Sequence, residues 1–554
     1  MPSPGNGNRD AGHRPGGSES LAAGGRTALR GALVTSLWTA GSRVLGFLRD
    51  ALMAAFFGVT PVTGAFALAW VVPNLFRRLF GEGAVGAAVL PALARAREEA
   101  GEDAARGLFA RFHGFLLLLL LALTAGGEGL LLSVLAARPP GSGRWTLELA
   151  AILLPYVVPI CLTALLAAPQ HQSGRFLLPA LAPALLNLVW ISTLLGLRFS
   201  SEEPALGLGD ARRLCLALVA GGLLQWLLQA PGLRAAGYPL RPAFRPGDGR
   251  VRRALRSFFP ALLGLAVVQV HLALDQVLVQ MLVDEAANTY TWLANRLLQL
   301  PLALVGIAAA TGTLPLFARL SAQGRYEELG RSAARTLEST LLLILAAAAG
   351  LFVLALPVVT VLFEHGAFTP GDSEVLARTL RAYLWGLPFA AAAGILTRLR
   401  QARGDYRGPA WIAGAVVPVN LVLDLLLLEP DFVEGAGYAT SAALALQALL
   451  LLRGLPGLGI RLPLRPLRLL RLALPAAAAL AAAGGAAALL ASAAATPAGL
   501  ALAVLAGLGA SLGSAARLFP AEWRELRAGL GRSGKGDRRP SPGEDRRQGE
   551  SGDP

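Results

Sequence analysis

From near Ala32 to near Leu512 the chain returns repeatedly to apolar runs of about 20 residues, the length that crosses a bilayer as one helix. About fourteen such runs follow one another, separated by breaks rich in Arg and Pro. Apolar and polar residues do not alternate with period two, which argues against a transmembrane β-barrel. With 54% hydrophobic and only 15% charged residues, the chain is no ordinary soluble globule. These features predict an all-α polytopic membrane protein.

A net charge of +15 points toward nucleic acid until its distribution is read. Lys535 is the only lysine among 50 basic residues, and the arginines gather in alternate loops. One group is Arg95, Arg97 and Arg106; another is Arg234, Arg241, Arg245, Arg250, Arg252, Arg253 and Arg256. Further groups lie at Arg319 to Arg335, Arg398 to Arg407 and Arg453 to Arg471. The loops between them are acidic or neutral: 200–210, 284–288, 364–374 and 429–434. The positive-inside rule then puts both termini in the cytoplasm, with Arg138, Arg144, Arg212 and Arg213 as exceptions. A nucleic-acid partner is not implied.

Residues 1–28 carry no apolar core of a signal peptide and read, with 518–554, as disordered cytoplasmic tails. Cys161 and Cys215 sit in apolar runs and read as small core residues.

The chain repeats itself. Leu90-Pro91-Ala92-Leu93-Ala94-Arg95 returns as Leu314-Pro315-Leu316-Phe317-Ala318-Arg319, 224 positions later. Gln172, Gly174, Pro179-Ala180 and Asn187-Leu188-Val189 return as Gln401, Gly404, Pro409-Ala410 and Asn420-Leu421-Val422. Weak symmetry of this length is the mark of transporters built from two bundles. Six spans per copy keep the two in the same orientation, so the repeat is parallel. The expected organisation is an N-lobe at 29–233, a cytoplasmic linker at 234–257 and a C-lobe at 258–453. Two further spans at 454–517, rich in Ala and Gly, suit close packing or a lipid-facing groove. The linker reads equally as a hinge or as a plain topogenic loop.

Ionisable residues inside a bilayer are costly and usually face a wet substrate or ion path. The first apolar segment holds Arg43, Arg49 and Asp50; the second holds Arg77, Arg78 and Glu82; the eighth span holds Arg296. Arg43 and Arg49 are about 240° apart on an ideal helix, and Gly46 between them permits a kink. Asp50 can orient or neutralise its neighbour. The guanidinium fork suits phosphate or pyrophosphate. Snorkelling or structural ion pairing is the plain alternative, but five arginines against two carboxylates leave positive charge that calls for an anionic partner.

A second group is acidic. Asp275 interrupts one span, Asn420 and Asp424 lie one helical turn apart in another, and Thr440 opens the next. Either a hard-cation site, for Na⁺ or H⁺, or polar bonding between helices accounts for them. Glu128, in Gly126-Gly127-Glu128-Gly129, fits neither group. His113, His171, His271 and His365 have no metal-ligand spacing, and no nucleotide-binding or hydrolase motif is present.

Ser42-Arg43-Val44-Leu45-Gly46-Phe47-Leu48-Arg49-Asp50, followed by Pro73-Asn74-Leu75-Phe76-Arg77-Arg78-Leu79-Phe80 and Glu82-Gly83-Ala84, resembles the signature of the MurJ (MviN) family. These are lipid II flippases of the multidrug/oligosaccharidyl-lipid/polysaccharide superfamily. Asn295-Arg296-Leu297, His365-Gly366-Ala367-Phe368-Thr369 and Gly386-Leu387-Pro388 add to the resemblance, which spans roughly Ala32 to Arg453. It implies fourteen helices in the bacterial cytoplasmic (inner) membrane, two lobes, and a C-terminal pair forming a lipid-tail groove.

It further implies movement of undecaprenyl-pyrophosphoryl-disaccharide-pentapeptide to the outer leaflet for peptidoglycan synthesis. Arg43, Arg49, Asp50, Arg77, Arg78, Glu82 and Arg296 would serve substrate and gating, and Asp275, Asn420, Asp424 and Thr440 a sodium site. Partners would be lipid II, membrane lipids and cell-wall synthesis proteins, with no cofactor beyond a coupling Na⁺. Many members have an acid early in the second span; this chain has Gly64, so that acid's gating role does not carry over. Two other readings stand beside this one: an ion-coupled exporter of drugs or polysaccharide-lipids, and a membrane glycosyltransferase. The short outer loops disfavour the second, so a transporter rather than an enzyme is expected.

Overall fold

In lipid every backbone N–H and C=O must find a partner within its own segment or a closed sheet, and apolar runs of this length do so as helices. In the computed structural model, residues 38, 40–139, 142–244, 249, 273–463, 471, 473–489 and 496–518 are described. Nine of their helices are long and apolar enough to cross a bilayer, and the only β feature among them is an isolated bridge between Glu429 and Phe432. The expected tails, most of the linker beyond Phe244, and Arg465 and Arg468 lie outside the described residues.

The first copy of the repeat runs through α1 (40–57), α2 (Pro61–Ala69), α3 (Val71–Phe76), a wide π-turn at Arg77–Ala84, and α4 (Val85–Ala137). It continues through α5 (Ser142–Leu153), α6 (Val157–Gln172), α7 (Leu177–Ser200) and α8 (Leu208–Ala235). The helix α4 breaks at Gly101, whose φ of 78° divides the second span from the third.

The second copy begins with α9 (273–282), α10 (Asn288–Pro301), a second wide π-turn at Leu302–Ile307 and α11 (Ala308–Ala322). Then come α12 (Tyr326–Val353), α13 (Ala355–Phe363), α14 (Pro370–Leu384), α15 (Leu387–Ala402), α16 (Arg407–Leu427) and α17 (Glu434–Arg453). The last helices are α18 (Ala473–Leu489) and α19 (Pro497–Leu518).

The repeat is visible in the coordinates. Both copies have a wide π-turn in the same span, and both have Pro91 or Pro315 shortly after it. Both close a helix on a left-handed glycine: Arg175 N bonds Gln170 O at 2.8 Å around Gly174, and Asp405 N bonds Arg400 O at 3.0 Å around Gly404.

Two compact units emerge from the packing, and they cut across the repeat. The first takes residues up to Leu297, Val359–Tyr383 and Ala410–Ala443; the second takes the remainder. Within the first, Phe66, Trp70, Tyr156 and Trp190 make an aromatic nest with ring centroids 5.0–6.4 Å apart. Cys161 and Cys215 are buried and free there, as small core residues should be. Within the second, α18 and α19 pack closely on small residues: Ala483 and Ala503 are fully buried, and Gly507 faces Ala483.

Candidate functional site

Arg49 and Asp50 lie midway along α1, where neither could stay charged without partners. Asp50 is 0% exposed and joins two guanidiniums. Arg49 donates to its Oδ1 from Nε at 2.8 Å and from Nη2 at 2.6 Å, and Arg296 of α10 donates to its Oδ2.

Arg49 is held on two further sides. Its Nη1 donates to Asn187 Oδ1 at 3.1 Å, and its guanidinium lies 4.3 Å from the centre of the Trp190 ring. Asn187 in turn donates to the Ser42 carbonyl at 2.9 Å, tying α7 to α1. A Cβ on Gly46 would lie 3.4 Å from Arg296 Nη2 and 3.6 Å from Asn187 Nδ2. The helix runs unbroken through Gly46, so the glycine there supplies room for two neighbours rather than a bend.

The expected arginines therefore separate by role. Arg49 is 7% exposed and bonded to both Asp50 and Asn187. Arg296 keeps 32% of its side chain exposed, and Arg43, one turn and a half before Arg49, is exposed. Arg77 opens the first wide turn, bonds Asn74 Oδ1 at 3.0 and 3.2 Å, and is a cationic neighbour of Arg49. Arg78 is half-buried beside it. Glu82 belongs to the same wide turn, but its side chain lies outside the described residues.

The acidic group also comes together. Asn420 Nδ2 donates to Asp275 Oδ1 at 3.0 Å and to Asp424 Oδ2 at 2.7 Å. Asn420 and Asp424 are buried, and Asn420 Oδ1 and Asp424 Oδ1 have no protein partner. Thr440 meets the hydroxyl of Tyr383, which also meets Asn295, with Asp275 and Asp424 as charged neighbours. Two bare oxygens in a buried pocket, one on the Asn420 amide and one on the Asp424 carboxylate, with the Asp275 carboxylate beside them, are the donor type a hard cation takes.

Asn187, Trp190, Tyr383 and Asn295 were not expected as site residues. Asn187 had a signal: it is the repeat counterpart of Asn420. Trp190, three residues on, shares its helix face. Gly64, where the family resemblance leads us to expect an acid, packs its backbone against the Glu285 carbonyl, which fills the space a side chain would need.

Residues 53–507 match the family described as Lipid II flippase MurJ. A probable lipid II flippase MurJ of Rhizobium meliloti (strain 1021) is 35% identical over 423 residues, covering 74% of this chain and 78% of the relative. The lipid II flippase MurJ of Burkholderia cenocepacia is 31% identical, covering 78% of this chain and 85% of the relative. Among solved structures, a lipid II flippase MurJ in an inward closed conformation aligns with a TM-score of 0.72 at 22% identity, over 89% of this chain and all of that one. An inward-facing multidrug resistance MATE family transporter aligns with a TM-score of 0.62 at 15% identity, over 75% and 94%. At these identities both structures bear on the fold alone.

Proposed function

The chain belongs to the lipid II flippase MurJ family, and from this we infer that it carries lipid II across the bacterial inner membrane for peptidoglycan synthesis. It is a transporter, not an enzyme: binding and movement, with no bond made or broken, account for every group in the site. The supporting observation is the fully buried Asp50 shared by Arg49 and Arg296, two arginines from different copies of the repeat.

Asp50 acts as a resident anion. It keeps both guanidiniums paired while the substrate is absent, which avoids the cost of a lone buried charge. Arg49 stays with Asp50, Asn187 and Trp190 throughout and fixes the carboxylate in place. Arg296, more exposed and held by Asp50 alone among the bonds above, exchanges that carboxylate for a lipid-linked pyrophosphate, which accepts its fork in two places. Arg43 and Arg77 add positive charge along the approach. The exchange frees α10 from α1, and the lobes rock in alternating access.

Asp275, Asn420, Asp424 and Thr440 would hold the coupling cation, Na⁺ or H⁺. A bound cation would offset one of the two carboxylate charges. Asn295 and Arg296 are adjacent on α10, so one residue of this helix touches each site through Tyr383 or Asp50. A turn of α10 is felt at both.

The test is complementation of a strain depleted of its lipid II flippase, with lipid II exposure on the outer face measured in the same cells. Arg296→Ala is expected to abolish both at normal protein levels, and Arg296→Lys to restore little because a point charge lacks the fork. Full growth with Arg296→Ala would overturn the reading.

A further inference from the structure

The carbonyls of a helix's last turn need partners from outside the helix. At the end of α1 these come from distant parts of the chain. Ala55 O accepts from Ala367 N at 2.8 Å and Phe56 O from Leu206 N at 2.8 Å. Ala367 belongs to the segment between α13 and α14, in the second copy of the repeat.

Glycine stands at three close backbone approaches around this end. Gly58 has φ +64°, and a Cβ there would lie 2.6 Å from Ala367 O. Gly366 has φ +60°, and a Cβ there would overlap Ala55 O. Gly64 of α2 has ordinary helical φ, yet a Cβ would overlap Glu285 O. Ala367 is thus held from two sides, its amide by the Ala55 carbonyl and its own carbonyl over Gly58. Rings complete the contact: Phe47 and Phe363 are 5.8 Å apart, Phe363 and Phe368 6.2 Å.

These segments are the arginine-poor ones, which places the contact on the outer face. It joins the first copy of the repeat to the second almost wholly through backbone, without a salt bridge among the bonds that make it.

We propose that Gly58, Gly64 and Gly366 form a backbone clasp that shuts the outer end in this conformation and parts each time substrate leaves outward. A clasp of main-chain atoms has no side-chain rotamers to reorder, so it can be remade at every cycle. Any side chain at these positions wedges it apart, while the open state tolerates the addition. The inference rests on the alternating-access reading above.

The test uses the full chain in nanodiscs, spin-labelled at Glu203→Cys and Glu374→Cys, with distances measured by double electron–electron resonance. The unaltered clasp is expected to give one short-distance population. Gly64→Ala, and separately Gly58→Asn, should raise a longer-distance population about ten-fold or more, given the cost of overpacking. Asparagine tolerates positive φ, so its effect at Gly58 reports the contact rather than backbone strain. Gly101→Asn, at a left-handed glycine with open space around it, should change nothing.

Unchanged distributions in Gly64→Ala and Gly58→Asn would overturn the clasp. Should both variants fail to fold, the pair Ala55→Cys and Ala367→Cys decides. Oxidation should block lipid II flipping and reduction restore it; flipping that persists in the cross-linked protein overturns the proposal. Absence of flipping even when reduced would count against the functional reading instead, since the resonance measurement needs no substrate.

Discussion

Asn187 and Asn420 are the same residue of the repeat, and they serve opposite charges. In the first copy the amide oxygen accepts from Arg49 at 3.1 Å; in the second the amide nitrogen donates to Asp275 at 3.0 Å. An amide is the one neutral side chain able to satisfy either partner by turning over. The repeat therefore carries two copies of a polar bracket, each bonded to a charge near the start of its own lobe. The bracketed charge is a guanidinium in one copy and a carboxylate in the other, and with it changes the sign of the ligand each place suits. The surroundings followed: Arg49 rests on Trp190, whereas Asp275 shares its asparagine with a second carboxylate, Asp424.

The contrast is broken most severely at the carboxylates. Asp50→Ala strands Arg49 and Arg296 in a buried site, and the expected cost is about 3–5 kcal/mol together with loss of complementation. Asp424→Ala removes a neighbour bonded to a neutral amide, so thermal unfolding in detergent should shift less than for Asp50→Ala. Equal shifts would mean that the two sites do not differ in kind.

Next come the asparagines. Asn187→Leu and Asn420→Leu should each cost about 1.5–3 kcal/mol, as each loses a hydrogen bond to a charged group. Their response to sodium separates them. The stabilisation gained on replacing choline by sodium should survive in Asn187→Leu and vanish in Asn420→Leu. Loss of that increment in both would show one site where two are argued.

Trp190→Leu removes the ring beneath Arg49 together with its contacts to Phe66 and Trp70 in the aromatic nest. The cation–π contact alone accounts for about 1–2 kcal/mol of the expected loss, and the sodium increment stays intact. Smallest of all, Arg43→Gln should change stability by less than about 0.5 kcal/mol because the residue is exposed. Its effect belongs to substrate capture: a few-fold weaker flipping at low salt that fades as ionic strength rises. A large stability loss there would place Arg43 inside the network around Asp50.

Much of this was legible before any coordinates. Apolar runs announce helices because lipid leaves the backbone no other solution, and Arg49, Asp50 and Arg296 stand out because a bilayer penalises charge. Asn420 and Asp424 declare themselves by their spacing. Asn187 and Trp190 did not, for a physical reason: both are uncharged, and any neighbouring helix can satisfy such a side chain, so its presence names no particular partner. Only the repeat, read from Asn420 back to Asn187, carried the hint. The division into units is equally hidden, since Val359–Tyr383 joins the first unit through tertiary contact and its local sequence matches other spans. Gly64 read as a missing acid; its meaning lay in the Glu285 carbonyl, more than two hundred residues away in the chain.

The wide turns at Arg77–Ala84 and Leu302–Ile307 carry a consequence for ancestry. A π-turn holds one residue more than the helix around it requires, and such bulges tend to sit at functional sites. Both lobes have the surplus at the same point, so a single insertion made before the gene segment doubled explains both. The two halves have since parted in charge, while this shared irregularity persists in each. On that account the turn predates the division of labour between Arg49 and Asp275.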